Sequence, residues 1–168
     1  MNTVSEHETV SGIEDFLQKN GYLAYTVRGV SMMPLLRQKK DVVMLRRKGD
    51  ERCKKYDVVL YRSGVEHKYL LHRILKVRPD DYIIAGDHNT FLEIGITDEQ
   101  IIGVMTSVRR DGKDITTDNK LYRLYVHLWC DCWPVRMAII RGKQKLRGYL
   151  SAVKRRLRRI RPQRKFRN

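Results

Sequence analysis

The pattern of apolar and polar positions changes character twice along the chain. Val10, Ile13, Phe16 and Leu17 fall on one helical face, Glu6 and Glu8 sit near the start, and Gly21 can close the turn. A short amphipathic helix is therefore predicted over residues 5–20. From Tyr22 the apolar residues come instead in short strand-like runs, at residues 22–27, 41–47, 57–62, 68–77, 82–85 and 101–108. Turn-forming clusters separate them at residues 48–51, 63–64, 79–81, 86–89 and 111–112. None of these joints is long enough for a crossover helix, so the runs imply a largely antiparallel sheet system, a coiled sandwich or partial barrel.

Helical spacing returns at Leu121. Leu121, Leu124, Tyr125, Leu128, Cys132, Val135 and Ile139 form one stripe, and Tyr122, Val126, Trp129, Trp133, Met137 and Ile140 form a second beside it. A helix apolar on most sides must be buried in protein or lie in a lipid interface. Pro134 is expected to kink it. Arg123, Asp131 and Arg136 argue against a bilayer span, each costing roughly 2.5–3.5 kcal/mol near the bilayer centre. Residues 143–160 then read as a cationic amphipathic helix, with Leu146, Leu150, Val153, Leu157 and Ile160 in one apolar line and Pro162 as its stop. The expected organisation is an N-terminal helix at 1–21, a β domain at 22–118 and a C-terminal helical region at 119–168.

Charge sharpens this division. The 168 residues carry 35 Lys and Arg against 19 Asp and Glu, a formal net charge of +16. Thirteen of the basic residues and no acid lie in 141–168, so the remainder is nearly neutral. The tail is either a solvated basic helix docked on its own domain or an attachment to an anionic membrane surface, where each basic residue contributes about 1 kcal/mol. Nucleic acid is not expected as a partner, because the tail holds no recognisable binding motif. Three cysteines, Cys53, Cys130 and Cys132, give no disulfide framework. His127 with Cys130 and Cys132 lacks a second ligand pair, so neither a metal nor a cofactor is expected. The polar, acidic N-terminus is not a signal peptide, and no uncharged apolar run reaches 18 residues.

The candidate chemistry lies in Gly29-Val30-Ser31-Met32-Met33-Pro34, which cannot continue a strand or a helix. Gly29 can adopt positive φ and Pro34 restricts Met33, so Ser31 is presented at a sharp strand exit. Such a corner is compatible with a plain turn or with a placed nucleophile. A nucleophilic serine needs a base. Of the five histidines, His7 lies in a polar helix start, His67 in a turn, His88 beside Asp87 and His127 in the late helix. His72 alone interrupts an apolar strand, within Leu70-Leu71-His72-Arg73-Ile74. It is either a structural histidine on the solvent face of the sheet or the base.

The ordered series Gly29 to Leu36, Asp41-Val42-Val43, Lys55 to Tyr61, Leu71-His72-Arg73-Ile74, Gly86-Asp87-His88-Asn89 and Ile102-Gly103-Val104 resembles the signal peptidase I clan of serine peptidases, which includes the self-cleaving LexA-type repressors. The resemblance spans about residues 22–110. It implies a mainly β fold of coiled antiparallel sheets and a serine endopeptidase acting on a signal or leader peptide. Ser31 matches the clan nucleophile. His72-Arg73 matches the histidine-type base of the endoplasmic-reticulum and archaeal enzymes. Asp87 matches a family carboxylate and is taken as the third catalytic residue, with Glu93 as substitute. Ser31 N–H and a neighbouring donor would meet the oxyanion.

Three departures stand out. The position two residues before Ser31 holds Gly29, where many signal peptidases have a second serine. The turn glycine usual before the strand aspartate is replaced by Lys39-Lys40-Asp41. Residues 1–21 are polar, so they are not expected to supply the membrane anchor that the family carries before the serine. The expectation is a cytoplasmic protein associated peripherally with the membrane through its C-terminal helices. The competing expectation is a catalytically inactive peptide-binding module tethered to a membrane surface by its basic tail.

Overall fold

A computed structural model describes residues 10–64 and 68–160. His7 and His67, together with the start of the predicted first helix, fall outside the described residues. By its contacts the chain divides into two compact units, Met1–Asp131 and Cys132–Asn168. The first begins with α1 (Val10–Asn20) and continues through eight strands: β1 (Tyr22–Thr26), β2 (Val42–Arg47), β3 (Val58–Arg62), β4 (Tyr69–Val77), β5 (Tyr82–Ala85), β6 (Glu93–Ile96), β7 (Ile101–Arg110) and β8 (Lys113–Thr116). It ends with α2 (Lys120–Cys130).

The fold is mainly β. All strand pairs are antiparallel, in the order β1-β2-β7-β3-β4-β5-β6, with β8 paired to β7. The antiparallel sheet predicted from short strands and short turns is thus what the chain forms. Two strands were not anticipated. β8 follows a two-residue turn in which Asp111 and Gly112 have φ of 48° and 79°, the left-handed pair that lets a tight hairpin close. β6 is four residues long and carries Glu93.

β3 is the centre of the sheet, with Val58, Val59, Leu60 and Tyr61 all buried. Side chains alternate between faces along a strand, so these four feed two cores. Val58 and Leu60 pack with Leu17 of α1, Leu23, Leu45, Leu71 and Tyr122. Val59 and Tyr61 pack with Ile74, Tyr82, Ile84 and Val104. A strand buried on both faces reads as a continuous apolar run, which is why 58–61 shows no alternation.

The C-terminal helices are arranged differently from the expectation. α2 starts at Asn119, whose side-chain oxygen accepts from the N–H groups of Leu121 and Tyr122 at 2.9 and 3.3 Å. It buries Tyr122 and Val126 but leaves Leu121, Leu124 and Leu128 exposed, so only one of its two apolar stripes is covered. The helix does not run on to be kinked at Pro134. It ends at Cys130, and Pro134 sits in the first turn of α3 (Trp133–Ile160), where a missing N–H breaks no helical hydrogen bond. α3 constitutes most of the second unit and passes through Gly142 without interruption. No helix among the described residues is long and apolar enough to cross a membrane.

Candidate active site

The serine corner is held at both ends by burial and at its base by charge. Gly29 has φ of 78°, the left-handed conformation that turns the chain out of β1. Val30 is exposed, Ser31 is half-buried, and Met32 and Leu36 are inserted into the core beside Leu23 and Val43. Leu36 N–H donates to the Met32 carbonyl at 2.9 Å. At the far end Asp41 is fully buried and binds Arg37 through its backbone N–H (2.8 Å) and its Nε (3.0 Å), together with Arg110. Burial opposes the charge on Asp41, but the hydrogen bonds from Arg110 and Arg37 prevail and hold its carboxyl below the ordinary value. Lys39, beside the strand aspartate, takes the left-handed region at φ 58°.

The segment after β5 closes on this corner. His88 N–H donates to the Ser31 carbonyl at 2.6 Å. A Cβ on Gly86 would stand 2.6 Å from that carbonyl oxygen and 2.9 Å from Ser31 Cβ, so the close approach requires a residue with no side chain. The same position is 3.0 Å from the Asn89 amide nitrogen, and Asn89 Nδ2 is 3.5 Å from His72 Nε2. Ser31, Gly86, Asn89 and His72 therefore form one chain of neighbours. Among the described residues the Ser31 hydroxyl and its N–H have no hydrogen-bond partner, and Nε2 meets Asn89 rather than Ser31.

His72 is almost completely buried, not on a solvent face. It lies opposite Val59 in the β3–β4 ladder and so shares a face with Val59 and Tyr61. Its Nδ1 is 2.7 Å from Glu93 Oε1 and 3.1 Å from the Tyr61 hydroxyl, which donates to the other Glu93 oxygen. Tyr61 spends its only proton on Glu93, so Nδ1 carries a proton and donates to the Tyr61 oxygen beside Glu93, and Nε2 presents the lone pair. Burial disfavours the charge on Glu93, but the hydrogen bonds from His72 and Tyr61 outweigh it and keep the carboxyl below its usual range.

Asp87 does not take the place beside His72 that the sequence reading gave it. It forms a double hydrogen bond with Arg73, at 2.9 and 2.8 Å, with both side chains fully buried. Strand parity is the reason. Arg73 and Ala85 are opposite each other in the β4–β5 ladder, and Asp87 follows two residues later on the Arg73 side. Tyr125 of α2 donates to Asp87 at 3.2 Å, Trp129 Nε1 donates to the Asp87 carbonyl at 2.8 Å, and Arg73 donates to Tyr122 at 3.1 Å. Burial works against the Arg73 charge, yet Asp87 raises its pKa well above the ordinary value. Asp87 thus fastens α2 to the sheet, while Glu93, the substitute, faces the imidazole.

Sequence reasoning passed over two members of this cluster. Tyr61 falls in the strand run 57–62 with no role assigned, although a phenol buried in a strand needs a partner for its hydroxyl. Asn89 falls in the turn and motif segment Gly86-Asp87-His88-Asn89, where no role was assigned to it. A cavity of about 380 Å³ opens elsewhere, lined by Lys55, Tyr56, Tyr122, Arg123 and His127, and includes neither Ser31 nor His72. No family model, curated protein or solved structure matches the chain.

Proposed function

We propose that the first unit is a serine endopeptidase of the signal peptidase I kind, cutting a signal or leader peptide with Ser31 as nucleophile and His72 as base. One observation carries this reading: the Tyr61 hydroxyl and the half-buried carboxylate of Glu93, 2.7 Å away, keep the proton on His72 Nδ1, and Nε2 lies beside Asn89 in the cluster that contains Ser31. The ordered motifs between residues 22 and 110 support it independently.

In this scheme the Asn89 amide withdraws from Nε2 and the Ser31 hydroxyl takes its place. Ser31 Oγ attacks the carbonyl carbon of the scissile bond as its proton passes to Nε2. The charge that develops on the former carbonyl oxygen meets the uncommitted Ser31 N–H, and Glu93 stabilises the imidazolium. Collapse breaks the C–N bond, and the Nε2 proton leaves with the amine. Water then attacks the ester, gives a proton to Nε2 and releases the acid as Ser31 recovers its own. Val30, Phe91 and Leu92 are exposed apolar side chains close in sequence to Ser31 and Asn89, a surface suited to an apolar peptide segment.

The contact between Asn89 and Nε2 favours a second reading, a peptide-binding module without catalysis. A fluorophosphonate probe separates the two. A catalytic Ser31 is labelled in the wild-type chain, is not labelled after Ser31→Ala, and reacts about 10²-fold or more slowly after His72→Ala. No labelling of Ser31, or equal labelling in His72→Ala, overturns the peptidase reading and leaves the binding module.

A further inference from the structure

The second unit offers a surface that the proposed chemistry does not use. On α3, Val135, Ile139, Leu146, Leu150 and Val153 recur three, four or seven residues apart and all are exposed, Leu146 at 58% and Leu150 at 57%. At 1.5 Å per residue they draw an apolar line about 27 Å long on one side of the helix. Tyr149 stands next to the line and is 69% exposed. Between Trp133 and Ile160 there are ten Lys and Arg and no acid. Arg141, Lys143, Lys145, Arg147, Lys154, Arg155 and Arg156 are all exposed and flank the apolar line or point away from it.

Three kinds of occupant could cover such a face. A second copy of the helix would bring two all-positive surfaces together, which charge opposes. Nucleic acid would use the cations but leave the leucines in water. A lipid surface with anionic headgroups satisfies both features, because the apolar line enters the acyl boundary while the cations stay at the phosphates. We propose that α3 lies in the plane of an anionic membrane surface and holds the chain there, with Leu146 and Leu150 inserted and Lys145 and Arg147 at the headgroups. This inference does not depend on the peptidase reading, since adsorption is measured without any cleavage.

The test is co-sedimentation of the full chain with vesicles of phosphatidylcholine alone or of phosphatidylcholine mixed with phosphatidylserine. Binding to the mixed vesicles only, weakened by salt, is expected. Leu146→Gln with Leu150→Gln, and separately Lys145→Glu with Arg147→Glu, should each reduce that binding by about ten-fold or more. These side chains are exposed, so far-ultraviolet circular dichroism should show unchanged helix content in both variants. Three results would overturn the inference: no binding to mixed vesicles, equal binding to neutral ones, or full binding by the leucine variant. Tight association with duplex DNA that the leucine substitutions leave untouched, without vesicle binding, would assign the face to nucleic acid instead.

Discussion

His72 and Arg73 are neighbours on β4, yet each meets a carboxylate on its own face of the sheet. On one face a guanidinium and Asp87 are matched by two hydrogen bonds, fully buried and tied to three aromatic residues of α2. On the other face an imidazole meets Glu93 across a short contact, while its second nitrogen faces the Asn89 side-chain amide near Ser31. The first arrangement is saturated with hydrogen bonds, which suits it to holding a helix. The second is asymmetric, with one nitrogen set between Glu93 and Tyr61 and the other against a single neutral amide. A buried carboxylate near a base is therefore no guide to chemistry until the face it occupies is known.

The sharpest way to break the comparison is to remove charge from the saturated side. Asp87→Asn leaves the Arg73 guanidinium buried without its counter-ion and should cost about 3–5 kcal/mol in urea unfolding. Arg73→Met combined with Asp87→Leu should recover most of that loss. Near-wild-type stability for Asp87→Asn would mean that the pair does not fasten α2.

Glu93→Gln addresses the other face. The amide can turn a donor toward Nδ1 and stabilise the wrong tautomer, so fluorophosphonate labelling of Ser31 should slow by about 10²-fold with little change in fold. The same variant carries a pH signature. The Glu93 carboxyl lies below its usual value of 4.5 in the folded chain. Its contribution to stability is thus complete above that value and is lost as pH falls through the lower folded one. Wild-type and Glu93→Gln stability curves should differ at neutral pH and converge in acid; a constant gap across the range would contradict the contact. The smallest of these effects belongs to Gly86→Ala. Its added methyl must displace the Ser31 backbone, and labelling should fall by about ten-fold while the chain stays folded. Unchanged labelling would show that the corner tolerates the shift.

Much of this was legible in the residues themselves. The six main strands, the turn glycines and the serine corner followed from short apolar runs between turn clusters and from the conformations that Gly29, Gly112 and Pro34 permit, because those are local properties. β6 was missed because Glu93-Ile94-Gly95-Ile96 is too short for a periodic signal, although one acid in the run Phe91-Leu92-Glu93-Ile94 was a hint. Tyr61 and Asn89 were missed because each is ordinary in its own segment.

The sequence by itself determined which side chains were candidates: one serine at a strand exit, one histidine inside an apolar strand, and two carboxylates after β5. Only the tertiary structure decided between the carboxylates. That choice depends on strand register, which sets the faces of β3 to β6 together and puts Glu93 opposite Ile84, and register is fixed by pairing between separate segments of the chain. The apolar line of α3 is the opposite case, since helical periodicity alone draws it and no distant partner is needed to place one residue beside the next.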